Sequence, residues 1–165
     1  MSIEVYTNYL KQCLNNAGAK IFYTSLKELE TSNTSSFTGI FVVSEDLEKA
    51  YGKSIIYKNN EKFRRKEKFK RKINFQVLIG DINVLKVENI FTKFMSEIDD
   101  KLILENGDVA FIEFSKAEYI DKKDTILKSE ITLQIDITFT ELIYKDYLFK
   151  DINWGGDGEY VKEKC

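Results

Sequence analysis

Apolar residues recur at spacings of three and four in two parts of the chain, which predicts two amphipathic helices. The first runs over residues 2–17 and is followed by Gly18, which can end it. The second runs over residues 84–102, where Asp81 or Asn83 can provide the N-cap. Its apolar positions are Val84, Val87, Phe91, Phe94, Ile98 and Leu102.

Alternating or continuous apolar positions predict several β-strands. Residues 37–43 and 109–119 are rich in aromatic and β-branched side chains, and a short strand is indicated near residues 21–23. From Ile131 to Thr140, apolar and polar residues alternate strictly, so one face of this strand is expected to lie on a core. The polar segments 31–36 and 121–124 are predicted to be a loop and a turn.

A β-hairpin is predicted around Asn59 and Asn60, because paired Asn residues tolerate the positive φ of a two-residue turn. Odd positions in its second arm are apolar from Ile73 to Ile79, whereas from Arg64 to Arg71 only Phe69 is apolar. The hairpin, at about residues 53–72, is therefore expected to protrude from the body and to leave Phe63 and Phe69 available to a partner.

The order of these elements indicates an α+β fold, with a mostly antiparallel sheet, two helices packed on one face and a protruding basic β-hairpin. At 165 residues the chain has the size of one domain. We place that domain at residues 1–144. Residues 145–165, which include three glycines and have no steady period, are interpreted as a C-terminal arm or tail.

Charge is distributed unevenly along the chain. Residues 61–72, the basic segment, contain eight basic and two acidic residues, including all three arginines. Residues 73–165 contain 11 lysines and 19 acidic residues, so the net charge of −2 conceals a cationic segment on an anionic body. Such a molecule is suited to pairing with copies of itself or with other acidic surfaces.

Groups needed for many kinds of chemistry are absent from the sequence. There is no His, and the two cysteines, Cys13 and Cys165, provide neither a disulfide framework nor a zinc site. No phosphate-binding glycine motif is present, and no apolar run has the length of a membrane span or the pattern of a signal peptide. We therefore expect a soluble cytosolic protein that is not an enzyme, uses no cofactor or metal and has no membrane partner.

A candidate calcium loop and two pairs of neighbouring carboxylates are better interpreted as structural features than as functional sites. Asp151, Asn153 and Asp157 match positions of a calcium loop, but Lys162 stands where a bidentate Glu is needed, so a tail is the better interpretation. The carboxylate pairs Asp99-Asp100 and Glu45-Asp46 have no apolar pocket indicated around them, so we interpret them as solvating.

The basic segment allows three interpretations. It could bind nucleic acid through phosphates and stacked bases, or it could protect an exposed sheet edge from aggregation. It could also be a docking arm that contacts the acidic face of a neighbouring subunit, which we favour because the rest of the chain supplies the complementary charge. The docking residues are then Phe63, Arg64, Arg65, Lys66, Lys68, Phe69, Lys70, Arg71 and Lys72.

The layout of residues 2–144 resembles the tail terminator (tail completion) proteins of tailed phages and phage-tail-like bacteriocins. The segments that carry the resemblance are RKINFQVLIG (71–80), VLKVENIFTKFMSEIDDKL (84–102), NGDVAFIEF (106–114) and ITLQIDITFTELIY (131–144). They follow an N-terminal helix and the basic hairpin, in the order expected of that family.

This resemblance implies a structural protein of a virion or tail-like particle, assembled in the cytoplasm of a bacterial host. It implies a six-membered ring that caps the tail tube, ends tube polymerisation and joins the tube to head, neck or sheath. The expected partners are further copies of the chain, the tube protein, and a sheath or neck (connector) protein, with DNA only as passing cargo. Glu130, Gln134 and Asp136, on the polar face of the last strand, are candidates for the lumen. A nucleic-acid-binding module and another head-tail junction component remain alternatives.

Overall fold

The computed structural model of the chain describes residues 3–120 and 131–149. The helices are α1 (Ile3–Asn16), α2 (Leu26–Thr31) and α3 (Val84–Glu97). The strands are β1 (Phe22–Tyr23), β2 (Phe37–Lys49), β3 (Lys53–Lys58), β4 (Glu61–Asp81), β5 (Lys101–Ile103), β6 (Val109–Ile120) and β7 (Ile131–Leu148). No helix in these two ranges combines the length and apolar composition needed to cross a membrane.

The strands form one sheet in the order β1-β2-β4-β7-β6-β5, and β3 pairs with the same edge of β4 as β2. Within the described ranges, the pairing of β1 with β2 is parallel and the other pairings are antiparallel. The predicted α+β class with a mostly antiparallel sheet is confirmed. Strand β4 is at the centre of the sheet because β2 and β3 flank one side of it and β7 flanks the other.

Helices α1 and α3 cover one face of the sheet, and the main core lies between them and the odd-numbered residues of β4 and β7. This face includes Ile73, Phe75 and Val77 of β4, each at most 1% exposed. The ring of Tyr6 from α1 stacks on Phe139 of β7 with centroids 4.5 Å apart. The strict alternation in the sequence therefore identified the buried face correctly, because successive strand residues point to opposite faces.

A short helix that the sequence did not predict, α2, lies on the other face of the sheet from α1 and α3. Leu29 of α2 packs with Phe37, Phe41 and Leu78 in a separate, smaller cluster. In β4, Leu78 alternates with the core residues Val77 and Ile79, so this cluster lies on the opposite face of the sheet. A helix of six residues is too short to leave a recognisable apolar period in the sequence.

Helix α3 ends at Glu97, five residues before the predicted end at Leu102. The chain leaves the helix at Ile98, whose backbone N–H still donates to the carbonyl of Phe94, and Leu102 then pairs with Ala110 in the β5–β6 ladder. Ile98 and Leu102 both pack on the main core, so an apolar spacing that suits a helix is shared here by a turn and a short strand.

Beyond the helices, β3, the first half of β4 and the end of β7 form a three-stranded extension of the sheet. We define the extension as residues 53–70 and 143–148. Asn59 and Asn60 make its turn with φ of 51° and 65°, as the sequence predicts for a two-residue hairpin. β7 joins the hairpin because it stays paired with β4 as far as Leu148, four residues past Tyr144, where the sequence places the end of the domain. The 121–124 turn and residues 150–165, with the calcium-loop residues Asp151, Asn153, Asp157 and Lys162, lie outside the described residues.

Candidate docking surface

The pairing register assigns each residue of the extension to one of two faces, because residues directly opposite each other in a ladder share a face. We call the face continuous with the α1 and α3 side of the sheet the helix-side face, and the opposite one the far face. Lys68 is an extra residue in β4 at a bulge between Glu67 and Phe69. As a consequence, Arg64 and Lys66 lie on the helix-side face, and Arg65 and Glu67 lie on the far face.

On the far face, Arg65, Lys58 and Asp146 of the extension are paired with one another. Arg65 donates from Nε and Nη2 to the two carboxylate oxygens of Asp146, at 2.8 and 3.0 Å, and Lys58 donates to Asp146 at 2.8 Å. The Arg65 guanidinium also lies 3.6 Å from the centre of the Tyr144 ring. The hydrogen bond from Arg65 holds the pKa of Asp146 well below its ordinary value.

Where the extension joins the body, Arg71 is part of a half-buried network on the helix-side face. It donates from Nε to Glu45 and from Nη1 to Glu141, each at 2.7 Å, and the hydroxyl of Tyr6 donates to the other Glu141 oxygen at 2.6 Å. Glu141 is 7% exposed. Burial, followed by the hydrogen bond to Glu141, raises the pKa of Tyr6 far above its ordinary value, so this hydroxyl stays protonated. This network fixes the base of the extension to helix α1.

The helix-side face of the extension and its base carries exposed cations and exposed apolar side chains together. The apolar members include Tyr57 at 71% exposure, Ile55 at 53% and Phe69 at 38%. Lys49, Lys53, Arg64 and Lys66 are exposed, and none of them forms an ion pair with another residue in the described ranges. Ile143 and Lys145 of β7 complete the surface from the neighbouring strand. Exposed aromatic and aliphatic side chains grouped on one face are a candidate binding surface, and the basic groups beside them favour an acidic partner.

The nine residues predicted for docking do not all lie on the helix-side face, and some of them form ion pairs within the chain. Arg65, Arg71 and Lys72 form ion pairs within the chain, the last with Glu48 at 2.8 Å. Phe63 is half-buried on the far face, and Lys70 lies on the same face beside Glu48. Arg64, Lys66 and Phe69 lie on the helix-side face, and Lys68 is exposed at the bulge.

Sequence reasoning missed Ile55, Tyr57 and Ile143, which belong to the same face through β3 and β7. Alternation within β3 alone could have grouped Ile55 with Tyr57. The contribution of β7 depends on long-range pairing, which no local pattern reports.

Two of the three residues predicted for the lumen lie on the far face of the sheet, and the third is outside the described residues. Gln134 and Asp136 are half-buried on the far face of the body, and Gln134 donates to Asp136 at 3.1 Å. Asp136 stands between Gln76 of β4 and Lys116 of β6 in the ladders. Glu130 lies outside the described residues.

The carboxylates considered as candidate catalytic pairs have structural surroundings. Glu45 pairs with Arg71, and Asp46 accepts a hydrogen bond from Asn74 at 3.1 Å. Asp99 and Asp100 are exposed at the end of α3, where the backbone N–H of Asp99 donates to the Tyr9 hydroxyl. Among residues 3–120 and 131–149, no group of three or more Cys, Asp or Glu side chains is placed to hold a metal ion.

Comparisons with known proteins assign no family to the chain. No protein-family model matches it, and the curated proteins give no significant match. Among solved structures, a chain from the "Virion of native gene transfer agent (GTA) particle" is similar over 82% of this chain and 92% of that chain, with 8% identity and a TM-score of 0.40. A likeness this weak assigns neither an activity nor a partner, and the resemblance to tail terminators remains a prediction from the sequence.

Proposed function

We propose that this chain is a structural assembly protein, not an enzyme, that caps the tail tube of a phage or of a phage-tail-like particle. Six copies form a ring at the end of the tube, end its polymerisation and present a surface for the head, neck or sheath. Assembly takes place in the cytoplasm of the bacterial host, and DNA passes only as cargo where the particle is a phage.

The observation that carries the proposal is the helix-side face of the extension. It presents exposed apolar side chains and cations that form no ion pair with a described residue on three paired strands, whereas on the far face Arg65, Lys58 and Asp146 pair with one another. A surface of this kind, held away from the core, favours contact with another protein subunit. A ring needs such a patch to meet a different patch on the next subunit, which is the heterologous contact that closes by rotation.

The mass of the assembled protein tests the proposal. Native mass spectrometry of the full chain, alone and with the purified tube protein of the same particle, is expected to show a species of six copies of 19.3 kDa, either free or on the tube. The variant Lys53→Ser/Arg64→Ser/Lys66→Ser is expected to lose this species while remaining a folded monomer. The matched control Lys20→Ser/Lys27→Ser/Lys93→Ser changes the net charge equally but alters exposed residues outside the extension, and it should assemble normally.

Absence of a ring under both conditions, with the chain folded, contradicts the proposal. A ring that the helix-side variant forms as well as the wild type does contradicts the role of the extension in it.

A nucleic-acid-binding module is the second candidate, because the same face combines cations with the aromatic rings of Tyr57 and Phe69. The internal pairing of Arg65, Arg71 and Lys72 leaves fewer cations for phosphates than the sequence suggests. If Lys53, Arg64, Lys66 and Lys68 each contacted one phosphate, log K would fall with log salt at a slope of about −4 for duplex DNA. Lack of binding at about 50 mM salt excludes this candidate.

A further inference from the structure

We propose that the helix-side face of the extension binds the corner formed by residues 97–108 of a second copy of this chain. This inference rests on the proposed function, because it names the acceptor surface for the contact between subunits. We call residues 97–108 the acidic corner. The corner connects the end of α3, through β5, to the start of β6.

The acidic corner has the opposite character to the extension. It contains five acidic residues and one lysine. Glu97, Asp99, Asp100 and Glu105 are exposed, and none of the four forms an ion pair with a described residue. Ile103, at 68% exposure, adds an apolar side chain to the corner. The corner therefore offers what the helix-side face lacks, which is negative charge beside apolar surface.

Other acidic groups of the described chain fit the role less well, because many already have cationic partners. Glu45 and Glu141 pair with Arg71, Glu48 pairs with Lys72, and Asp146 pairs with Arg65 and Lys58. Asp81 and Glu118 pair with lysines of their own neighbourhood. The acidic corner gathers four exposed acids without such partners within nine residues, which gives it the density of charge to match Lys53, Arg64 and Lys66.

The acceptor corner belongs to another copy because of where the chain's own corner lies. Asp108, the last residue of the corner, borders a shallow depression that is lined mostly by far-face residues of the extension, among them Arg65 and Tyr144, and also by Tyr57. Within one chain the corner therefore lies mainly beside the far face, and none of the cations Lys53, Arg64 and Lys66 borders the depression. When the extension of each copy binds the corner of the next, the contact is heterologous, and it forms a ring where the rotation between neighbouring copies closes.

Charge reversal in two variants tests this contact. The extension variant is Lys53→Glu/Arg64→Glu/Lys66→Glu, and the corner variant is Asp99→Lys/Asp100→Lys/Glu105→Lys. Each variant alone places like charges in contact, so its self-association is expected to weaken by at least about a hundredfold. In an equimolar mixture, every contact between the two variants pairs opposite charges again, so the mixture should recover the mass of the wild-type assembly.

Assembly is measured by light scattering, with tube protein present in every sample if the wild type needs it. All six substituted side chains are exposed, and circular dichroism with thermal melting verifies that each variant is folded. The matched control is Lys20→Glu/Lys27→Glu/Lys93→Glu, which reverses three exposed lysines outside the extension and should assemble alone as the wild type does. Absence of any wild-type assembly refutes the proposed function. A wild-type ring that the corner variant forms equally well, or a mixture that stays monomeric, refutes only this inference.

Cross-linking locates the contact independently. A carbodiimide joins lysine amines to carboxylates that touch them, and it is applied to assemblies of mixed ¹⁵N-labelled and unlabelled full-length chains. Links from Lys53 or Lys66 to the acidic corner are expected to include pairs in which one peptide is labelled and the other is not. Links from these lysines to the acidic residues of 151–163 within the same chain would show that the C-terminal segment covers the face, and would overturn the inference.

Discussion

Replacing Arg71 with Met removes the cation from the network at the base of the extension. Glu141 is 7% exposed, and among the described residues Arg71 and Tyr6 donate to its carboxylate oxygens. In the variant the Tyr6 hydroxyl remains, but the cation is lost. Removing one partner of a buried ion pair costs about 3–5 kcal/mol, because the remaining charge is buried without compensation. For a domain of this size, that corresponds to a fall in melting temperature of roughly 6–20 °C.

The assay is urea unfolding followed by circular dichroism, together with a thermal melt. Arg64→Met is the matched control, because Arg64 is exposed on the same strand without an ion pair among the described residues, and it should change stability by less than about 0.5 kcal/mol. The double variant Arg71→Met/Glu141→Gln replaces the uncompensated carboxylate with a neutral amide that can still accept from Tyr6. It should recover at least half of the loss.

Two results would refute this reasoning. One is an Arg71→Met variant that unfolds at the same urea concentration as Arg64→Met. The other is a double variant whose loss of unfolding free energy equals the sum of the losses of the two single variants. Residues that interact in a buried pair should instead give non-additive losses.

Three further predictions follow from single features. The hydrogen bond from Arg65 lowers the pKa of Asp146 below its ordinary value of 3.8, so this carboxylate stabilises the fold above that pH and loses its effect as the pH falls. The gap in melting temperature between wild type and Asp146→Asn should therefore narrow below about pH 4. Asn60 has a φ of 65°, so Asn60→Val should cost about 1–2 kcal/mol in urea unfolding while Asn60→Gly should cost little. Burial raises the pKa of the Cys13 thiol, so little reactive thiolate forms in the folded chain. In the variant Cys165→Ser, which leaves Cys13 as the single thiol, reaction with a disulfide reagent should be slow until urea unfolds the chain.

The fold class could be predicted from the sequence because its signals are local. The alternation from Ile131 to Thr140 identified the buried face, and the spacing of three and four identified α1 and the body of α3. The end of α3 could not be predicted, because Ile98 and Leu102 keep helical spacing while they pack on the core from a turn and a strand.

The composition of the docking surface was less accessible to sequence reasoning. The basic segment was evident, but alternation inside a strand does not say which cations are paired across strands. Arg65 and Arg71 are paired by Asp146 and Glu141, which are 81 and 70 residues away. The bulge at Lys68 also shifts the alternation, so that Arg64 and Lys66 lie on the same face as Phe69. These features depend on the register of β7, which only the folded sheet defines.

The mass of the wild-type chain by light scattering, alone and with tube protein, tests the central claim most directly. We expect a complex that contains six copies of the 19.3 kDa chain and that disappears when Lys53, Arg64 and Lys66 are replaced by Ser. A folded chain that stays monomeric under both conditions, at low and high salt, would contradict it.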